Sequence, residues 1–527
     1  MHSNHIPIFL FITMDTVRVY TFLLLLIIFH SDVIGQTTNT SKIVKQPDAI
    51  TIAHRGQSIT MAFTVDNANN KISYQWFANT TNSNKGGTAI KRAKSSVCTT
   101  KPFKDKEIGY YYCTATTKND TITSNVATVA FTGLPTVNIK TNNGVPPTAR
   151  YAYPPANAFG RTITDATKIP SRMQIEDKDG KIIYDSGEFE SDESGITIKI
   201  RGNASVNDLA GKTPYKLKLQ QKSDLLEHIV GRNGNEYKNK DWVLLKDATS
   251  LKTFIGHEVA AIAGTPWVPH ATYVDVVING DYRGVYMLIE SIGKGSSRID
   301  VANDGFIVEQ DAFWWNEDVY LYTIKYCKHY TVKYPGAKKI KTHPELLSNI
   351  SHYMQKTETS IADGTYNQYI DTESFARWIL VHDILGTEDM HGSNPFMFKT
   401  DNTDTSKLHM ASNWDFDSIF KRGNTWSSQH NGSAAYAFYL KRSPNKSFEE
   451  SYKAQWNVIK SKVWRELSSK LNNLKTQQGD CINLSRQLDA IKWKTSFQTI
   501  EENISEAENW FLSRIKWLEQ GIVKPDF

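Results

Sequence analysis

The sequence predicts an all-β N-terminal sandwich followed by a mixed α+β body that finishes in helices. Three observations carry this expectation. From Gln46 to Phe131 short alternating runs are separated by turns at roughly ten-residue intervals, the spacing of a β-sandwich. Past Gly133-Leu134-Pro135 strand and helix periodicities interleave. From Ser447 onward the pattern is largely helical. With 527 residues the chain exceeds one ordinary core, so two or three domains are expected.

The formal charge of +6 is small for this length and no Lys/Arg block stands out, so nucleic acid is not an implied partner. Aromatic content of 11% with mixed charge argues for a folded chain. Residues 1–35 read as an export signal. An apolar run from Thr21 to Phe29 follows Arg18, and Val33-Ile34-Gly35 precedes Gln36. The run is shorter than the roughly 20 residues of a membrane span. Met14 is an alternative start that gives a signal of more usual length. No later run is long enough to span, so the mature chain is expected to be exported, whether secreted, periplasmic or at the cell surface, with no transmembrane segment. Residues 36–42 read as a polar linker, 43–131 as the β domain and 134–527 as the mixed body. The four cysteines show no zinc spacing.

In the β domain Gly56 to Phe63 alternates, Ile72 to Phe77 brings Trp76, and Glu107 to Thr116 contains Gly109-Tyr110-Tyr111-Tyr112-Cys113. The pattern resembles an immunoglobulin-like sandwich, with a core Trp on the third strand and a Gly-x-Tyr-x-Cys on the sixth. Phe63 stands where the first Cys is usual, so Cys113 either bridges Cys98 or stays free. The domain reads as a spacer or as a module that docks a partner or surface.

In the body, Ile196, Ile198 and Ile200 share one face of an alternating strand ending at Arg201. Tyr215, Leu217 and Leu219 face one way on the next strand, and Lys216 and Lys218 the other. A helix is expected from Ser250 to Ala263. A hairpin is expected over Tyr273 to Ile289, turning at Asn279-Gly280. A further helix is expected between an Asp371 N-cap and a Gly386 C-cap. Short strands follow at Phe396 to Lys399 and Leu408 to Ala411, then helices over Tyr452 to Leu474 and Ile500 to Ile522.

Two loops hold the chemistry. Thr387 to Asn394 offers Asp389 and Asn394, and Asn413-Trp414-Asp415-Phe416-Asp417 follows the strand pair. A loop with Asp and Asn, a hairpin and then a further Asp is the order in which protein kinases build a phosphoryl-transfer site. In that order Asp389 orients the attacking hydroxyl, and Asn394 and Asp415 hold Mg²⁺. Asp417 is a second ligand or a structural acid. Glu258 lies near the middle of the apolar stripe formed by Leu251, Phe254, Ile255, Val259 and Ile262. A carboxylate there needs a partner. A strand lysine on the nucleotide phosphates, Lys218 ahead of Lys216, would supply it, unless Glu258 reaches solvent and pairs with a surface base. His391 is read as a loop or substrate contact, and Lys399 as solvated rather than near a phosphate. No Gly-x-Gly-x-x-Gly after a first strand, His-Arg-Asp, Asp-Phe-Gly, P-loop or Gly-x-Ser-x-Gly is present, which excludes an ordinary eukaryotic-type kinase.

Taken together the landmarks resemble the CotH kinases, the spore-coat protein H family. They are Ile200-Arg201-Gly202-Asn203, Pro214 to Leu219, Trp242 to Leu245, Asp247 with Ser250-Leu251-Lys252, Asn279 to Tyr286 with Glu290, Arg298-Ile299, Asp389 to Asn394 and Trp414 to Asp417. Where the family usually has Arg, this chain has Lys252. The resemblance spans roughly Pro135 to Leu518. It implies an α+β atypical protein-kinase-like fold with a helical C-terminal region. The implied activity is transfer of phosphate from ATP, with Mg²⁺ or Mn²⁺, to Ser or Thr of secreted or surface proteins. It also implies Asp389 as catalytic acid/base, Asn394 and Asp415 as metal ligands, and Lys218 or Lys216 on the phosphates, with Arg201 steadying phosphates or strand. The alternative is a surface-binding or adhesion protein on the same scaffold; a carbohydrate-processing enzyme using Asp415 and Asp417 is a third class.

Overall fold

The computed structural model of the chain describes residues 41–66, 71–118, 120–158, 160–206, 208–232, 237–246, 248–390, 393–424 and 434–523. The export signal expected over residues 1–35, His391 and Asp247 lie outside them. Among the described residues no helix is long and apolar enough to cross a membrane.

The N-terminal unit is β-rich. Its main sheet runs Ile50–Ile52, Ala127–Phe131, Glu107–Thr116, Ser73–Asn79 and Thr88–Ala89, with Thr121–Thr123 also on Glu107–Thr116. Opposite it, Thr60–Ala62 pairs with Val97–Thr99 and Thr64–Asp66 with Lys42–Lys45. Trp76 is in register with Cys113 and donates its indole N–H to the Ser95 carbonyl at 3.0 Å, which satisfies the one polar atom of a fully buried side chain. Phe63, also fully buried, fills the place of the missing cysteine. Cys98 and Cys113 are both free and buried. Burial pushes the Cys113 thiol up to about 12. Of the two readings of Cys113, the structure has the free thiol.

Alternation has its largest consequence in the second unit, where it closes a barrel. The strands are β1 (Thr136–Thr141), β2 (Ile169–Glu176), β3 (Ile182–Asp185), β4 (Ile196–Ile200), β5 (Tyr215–Ser223), β6 (Asn239–Leu245), β7 (Ala271–Ile278) and β8 (Asp281–Glu290). They pair in the order β1-β7-β8-β6-β5-β4-β2, and β1 pairs β2, so seven strands form a ring with β3 attached outside to β2. Only β1–β7 is parallel. Inward residues, among them Ile198, Leu217, Trp242, Val276 and Leu288, make one apolar core. Each large side chain buried there stabilises by about 1.5–3 kcal/mol. The β7–β8 turn is the predicted Asn279-Gly280, both with positive φ (53° and 80°), as a tight hairpin of this twist requires.

Outward residues of the barrel meet a second sheet. It consists of β9 (Phe306–Gln310), β10 (Tyr320–Thr323), β11 (Lys328–Tyr334), β12 (Phe396–Lys399) and β13 (Leu408–Met410), in the order β10-β11-β9-β12-β13. Val243 of β6 and Ile289 of β8 pack with Ile307, Phe396 and Trp414. Helices α1 (Lys252–Ile262), α2 (Glu345–Asp363), α3 (Thr372–Leu385), α4 (Ser447–Ile459), α5 (Val463–Trp493) and α6 (Ile500–Val523) complete the body. Helix α3 is capped as its sequence specifies: the Asp371 carboxylate accepts the Ser374 amide at 2.8 Å, and Gly386 takes a φ of 57°. The helix expected over Tyr452 to Leu474 is two helices. The chain turns at Lys460-Ser461-Lys462, which keeps both Ile459 and Val463 buried.

The β-rich unit is seated on the barrel rather than tethered beside it. Ile50 and Ala130 pack with Tyr282 of β8 and Leu488 of α5. Beneath them lies Asp275 of β7, fully buried. It accepts hydrogen bonds from Thr132 (2.6 Å), Tyr282 (2.8 Å) and Ser485 (3.1 Å), which join the linker, the barrel and α5. Burial raises its carboxyl to about 6, the three hydroxyls opposing that shift. An acid whose pKa is higher folded than unfolded contributes stability that is complete below its unfolded pKa and is lost as pH rises through the folded value. The difference in unfolding free energy between wild type and Asp275→Asn should therefore change by about 2–3 kcal/mol between pH 4 and pH 7, with wild type losing ground as pH rises. Urea unfolding at a series of pH values checks this; parallel curves for the two proteins would contradict it.

Candidate active site

The site begins where α3 ends. At Gly386 the chain leaves the helix into the loop that carries Asp389, and a second loop lies alongside it. The amides of Glu388 and Asp389 donate to the carbonyl and hydroxyl of Ser418, at 3.1 and 2.9 Å. Phe420 donates to the Leu385 carbonyl at 2.8 Å and Arg422 to that of Gly386 at 2.9 Å. The two motif segments, distant in the sequence, are thus sewn together by backbone hydrogen bonds. Asn413, fully buried, anchors the second segment through the Trp378 carbonyl at 3.3 Å.

The second segment also depends on α1. A Cβ on Gly256 would lie 2.0 Å from the Phe416 ring, so the helix and Asp415-Phe416-Asp417 approach as closely as only glycine permits. His257 packs its ring on Phe416 edge-to-face at 5.5 Å, and burial holds it well below the usual histidine range, at about 3, so it is neutral.

Two acids at the end of β9, not expected from sequence, complete the frame. The Asn394 amide donates to Glu309 of β9 at 3.1 Å, and the Ser393 hydroxyl to Asp311 at 3.0 Å. Lys333 of β11 ties these acids together, with its ammonium 2.9 Å from Glu309, 3.8 Å from Asp311 and 3.4 Å from Glu317. Burial alone would lower the Lys333 pKa, but the three carboxylates hold it above the ordinary value. Burial raises Glu309, with Lys333 opposing. The Asn394 side-chain amide donates to the Asp389 carbonyl at 3.4 Å, so its NH₂ faces the backbone of its own loop. Asn394 and Asp415 both have left-handed backbones, with φ of 82° and 62°. Such conformations in non-glycine residues concentrate at functional sites.

The barrel supplies the opposite wall. Arg201, at the end of β4, has its pKa lowered by burial, and the charges of Asp415 and Glu309 oppose that lowering. Its guanidinium also lies 5.8 Å from the Trp414 ring centre. Lys199, on the same outward face, is lowered by burial and then by Lys216, Lys168 and Arg201, with Glu317 opposing. Cations on the barrel therefore face acids on the second sheet. Asp389 is exposed at the loop edge, and its carboxyl is raised by partial desolvation and by Glu388.

Arg201, Asp389, Asn394 and Asp415 thus lie in one neighbourhood, linked through Ser418 and Glu309. Asp417 is exposed on the turn that follows. Glu258 does not pair with a strand lysine: its carboxylate is 2.8 Å from Lys470 of α5, because the edge of the α1 stripe faces that helix. Lys216 pairs with Asp241 at 2.9 Å. Lys218 is exposed, among other lysines beside β6. Lys399, expected to be solvated, is buried and donates to the carbonyls of Asp401 and Thr403, closing the β12–β13 turn. Reading the sequence alone missed Glu309, Lys333 and Lys199. An acid inside the apolar run Phe306-Ile307-Val308-Glu309 was the available signal, since a buried strand tolerates one only with a partner.

Among the described residues no three His, Cys, Asp or Glu side chains converge as a metal cluster. The Asp415 carboxylate and the Asn394 amide carry hard oxygen donors, the ligand type that suits Mg²⁺ shared with substrate phosphates. Substituting Gly256 by Ala should displace Phe416 and cost about 1–3 kcal/mol. Gly336→Ala, whose Cβ would meet nothing within 4 Å, should leave the melting temperature nearly unchanged. Thermal unfolding of the two variants compares them directly.

No curated protein matches the chain. Among solved structures, one titled "Structural basis for Dscam isoform specificity" is similar at 15% identity and a TM-score of 0.16, covering 31% of this chain and 43% of that one. Another, of Sidekick-1 immunoglobulin domains 1-5, is similar at 13% identity and a TM-score of 0.17, covering 34% and 44%. The chain spans less than half the length of either. Residues 198–518, from β4 through most of α6 and including every residue of the site, match the model of the CotH kinase protein family, and the chain belongs to that family.

Proposed function

We propose that this chain is an exported atypical protein kinase that transfers the γ-phosphoryl group of ATP to Ser or Thr of secreted or cell-surface proteins. The observation that carries the reading is the junction of the two loops. Ser418 binds the Asp389 backbone while Glu309 binds that of Asn394, and Arg201, by the Trp414 ring, lies in the electrostatic field of both Glu309 and Asp415. A surface-binding scaffold has no need of this convergence. The apolar segment at Thr21 to Phe29 is the ground for export, and the seated β-rich unit is read as an immunoglobulin-like module facing a partner or surface.

In this reading Asp389 accepts the proton of the attacking hydroxyl. Its backbone is held from both sides of the loop, through Ser418 and Asn394, and partial desolvation strengthens the carboxylate as a base. Arg201 and Lys199 on the barrel wall bind the phosphates, and the P–O bond to the acceptor forms as the bond to the departing ADP breaks. Asp415 and Asn394 would hold Mg²⁺ or Mn²⁺, which supplies neutralisation of phosphate charge. Glu309 and Asp311, tied by Lys333, position Asn394 and Ser393.

Transfer of labelled γ-phosphate to the protein or a generic acceptor tests the reading. Asp389→Asn should lower transfer by about 10²–10⁴-fold. Asp415→Ala should abolish transfer together with the nucleotide-and-Mg²⁺ shift in melting temperature. Transfer retained in both variants would sink the site assignment. Absence of label and of any nucleotide-induced shift in wild type would favour the scaffold.

A further inference from the structure

The outward face of β5 does not stop at the cleft. Lys216 is in register with Lys199, and two residues on the same face reaches Lys218. There the surface opens into a concavity of about 260 Å³ lined by Lys218, Lys222, Lys238, Lys240 and Lys294, with Asp241 as the one carboxylate. That carboxylate is already held by Lys216 from the cleft side. No described carboxylate lies within ion-pair distance of Lys218, Lys222 or Lys238, all three exposed. Lys240 reaches Asp192, at 3.7 Å on a largely solvated acid. Lys294 is oriented by neutral oxygens, of Ala302, Asn303 and Tyr334, at 3.0–3.2 Å. Five ammonium groups gathered from three segments repel one another, and among the described residues few carboxylates offset that.

We propose that this lysine-lined groove docks an acidic segment of the polypeptide substrate, presenting a flanking Ser or Thr to Asp389; this rests on the protein-kinase reading above. Lysines are mobile, strongly hydrated point charges, and several of them spread over a groove match a run of carboxylates better than one compact anion. On the outward face Lys216 stands beside Lys199 and two residues before Lys218, so an acceptor chain bound in the groove can run along that face toward Lys199. The overall charge of +6 on 527 residues makes this concentration a local feature rather than a reflection of a basic chain.

The test separates docking from catalysis. Fluorescence anisotropy of the full chain with a labelled Glu-rich peptide needs no phosphate transfer. Wild type should bind it, and the Lys222→Glu/Lys238→Glu double variant should bind about tenfold or more weakly, as should wild type at high salt. Lys222→Gln/Lys238→Gln, which removes charge without adding repulsion, should fall between. Equal affinity in all three proteins would overturn the proposal, as would binding of a sulfated polysaccharide but not the peptide. In transfer assays the double variant should raise KM for acidic-flanked acceptors and leave neutral-flanked ones unchanged. Equal transfer to both acceptor types by wild type would also overturn it. Peptide binding with the expected variant pattern, but no transfer to any acceptor, would uphold docking and reject the kinase reading.

Discussion

The ring closure made by β1, paired at once with β2 and β7, is the constraint on which the rest depends. A closed sheet leaves each side chain two choices, inside or outside, and the inside is filled by Ile, Leu, Val and Trp. Every second residue of β4 and β5 is therefore committed to the outer face. Lys199 and Lys216 stand on that face because Ile198 and Leu217 do not. A one-residue slip of either strand would bury the lysines and expose the core, so register protects the charge of the cleft as firmly as it protects the core.

Against that rigid wall the second sheet and the helices bring acids. Glu309 and Asp311 sit at the end of β9 nearest the loops, and Lys333 makes their burial tolerable. A buried acid without such a partner is strongly disfavoured. The trio is thus bound to the architecture, and the Asn394 loop is bound to the trio. The Asp389 loop is bound in turn to Ser418. Gly256 is the contact at which α1 permits the Asp415 segment its position. Strained backbone at Asn394 and Asp415 is held by these surroundings rather than by local preference.

The β-rich unit is coupled to the same frame. Its Ile50 and Ala130 rest on Tyr282 and Leu488, and its exit strand leads through Thr132 to the buried Asp275. Helix α5 brings Ser485 to that acid and, one turn on, Asp489 to the Val285 amide and to Lys212. Barrel, helix and N-terminal unit therefore share one polar junction on the side of the barrel away from β4 and β5.

By itself the sequence determined the alternation of the strands, the hairpin at Asn279-Gly280, the caps of α3 and the two loops with Asp389, Asn394 and Asp415. Each of these rests on interactions between near neighbours in the chain. Tertiary structure alone decided the partners of charged groups. Glu258 went to Lys470, Lys216 to Asp241, and Lys399 to turn carbonyls, because each choice depends on elements far away in the sequence. The break at Lys460 to Lys462 likewise followed from the burial of Ile459 and Val463 on both sides. Glu309 and Lys333 became visible only in three dimensions, since an ion pair between strands β9 and β11 leaves no local period to read. Periodicity reports which face a residue occupies, and only the packing of distant segments reports what that face meets.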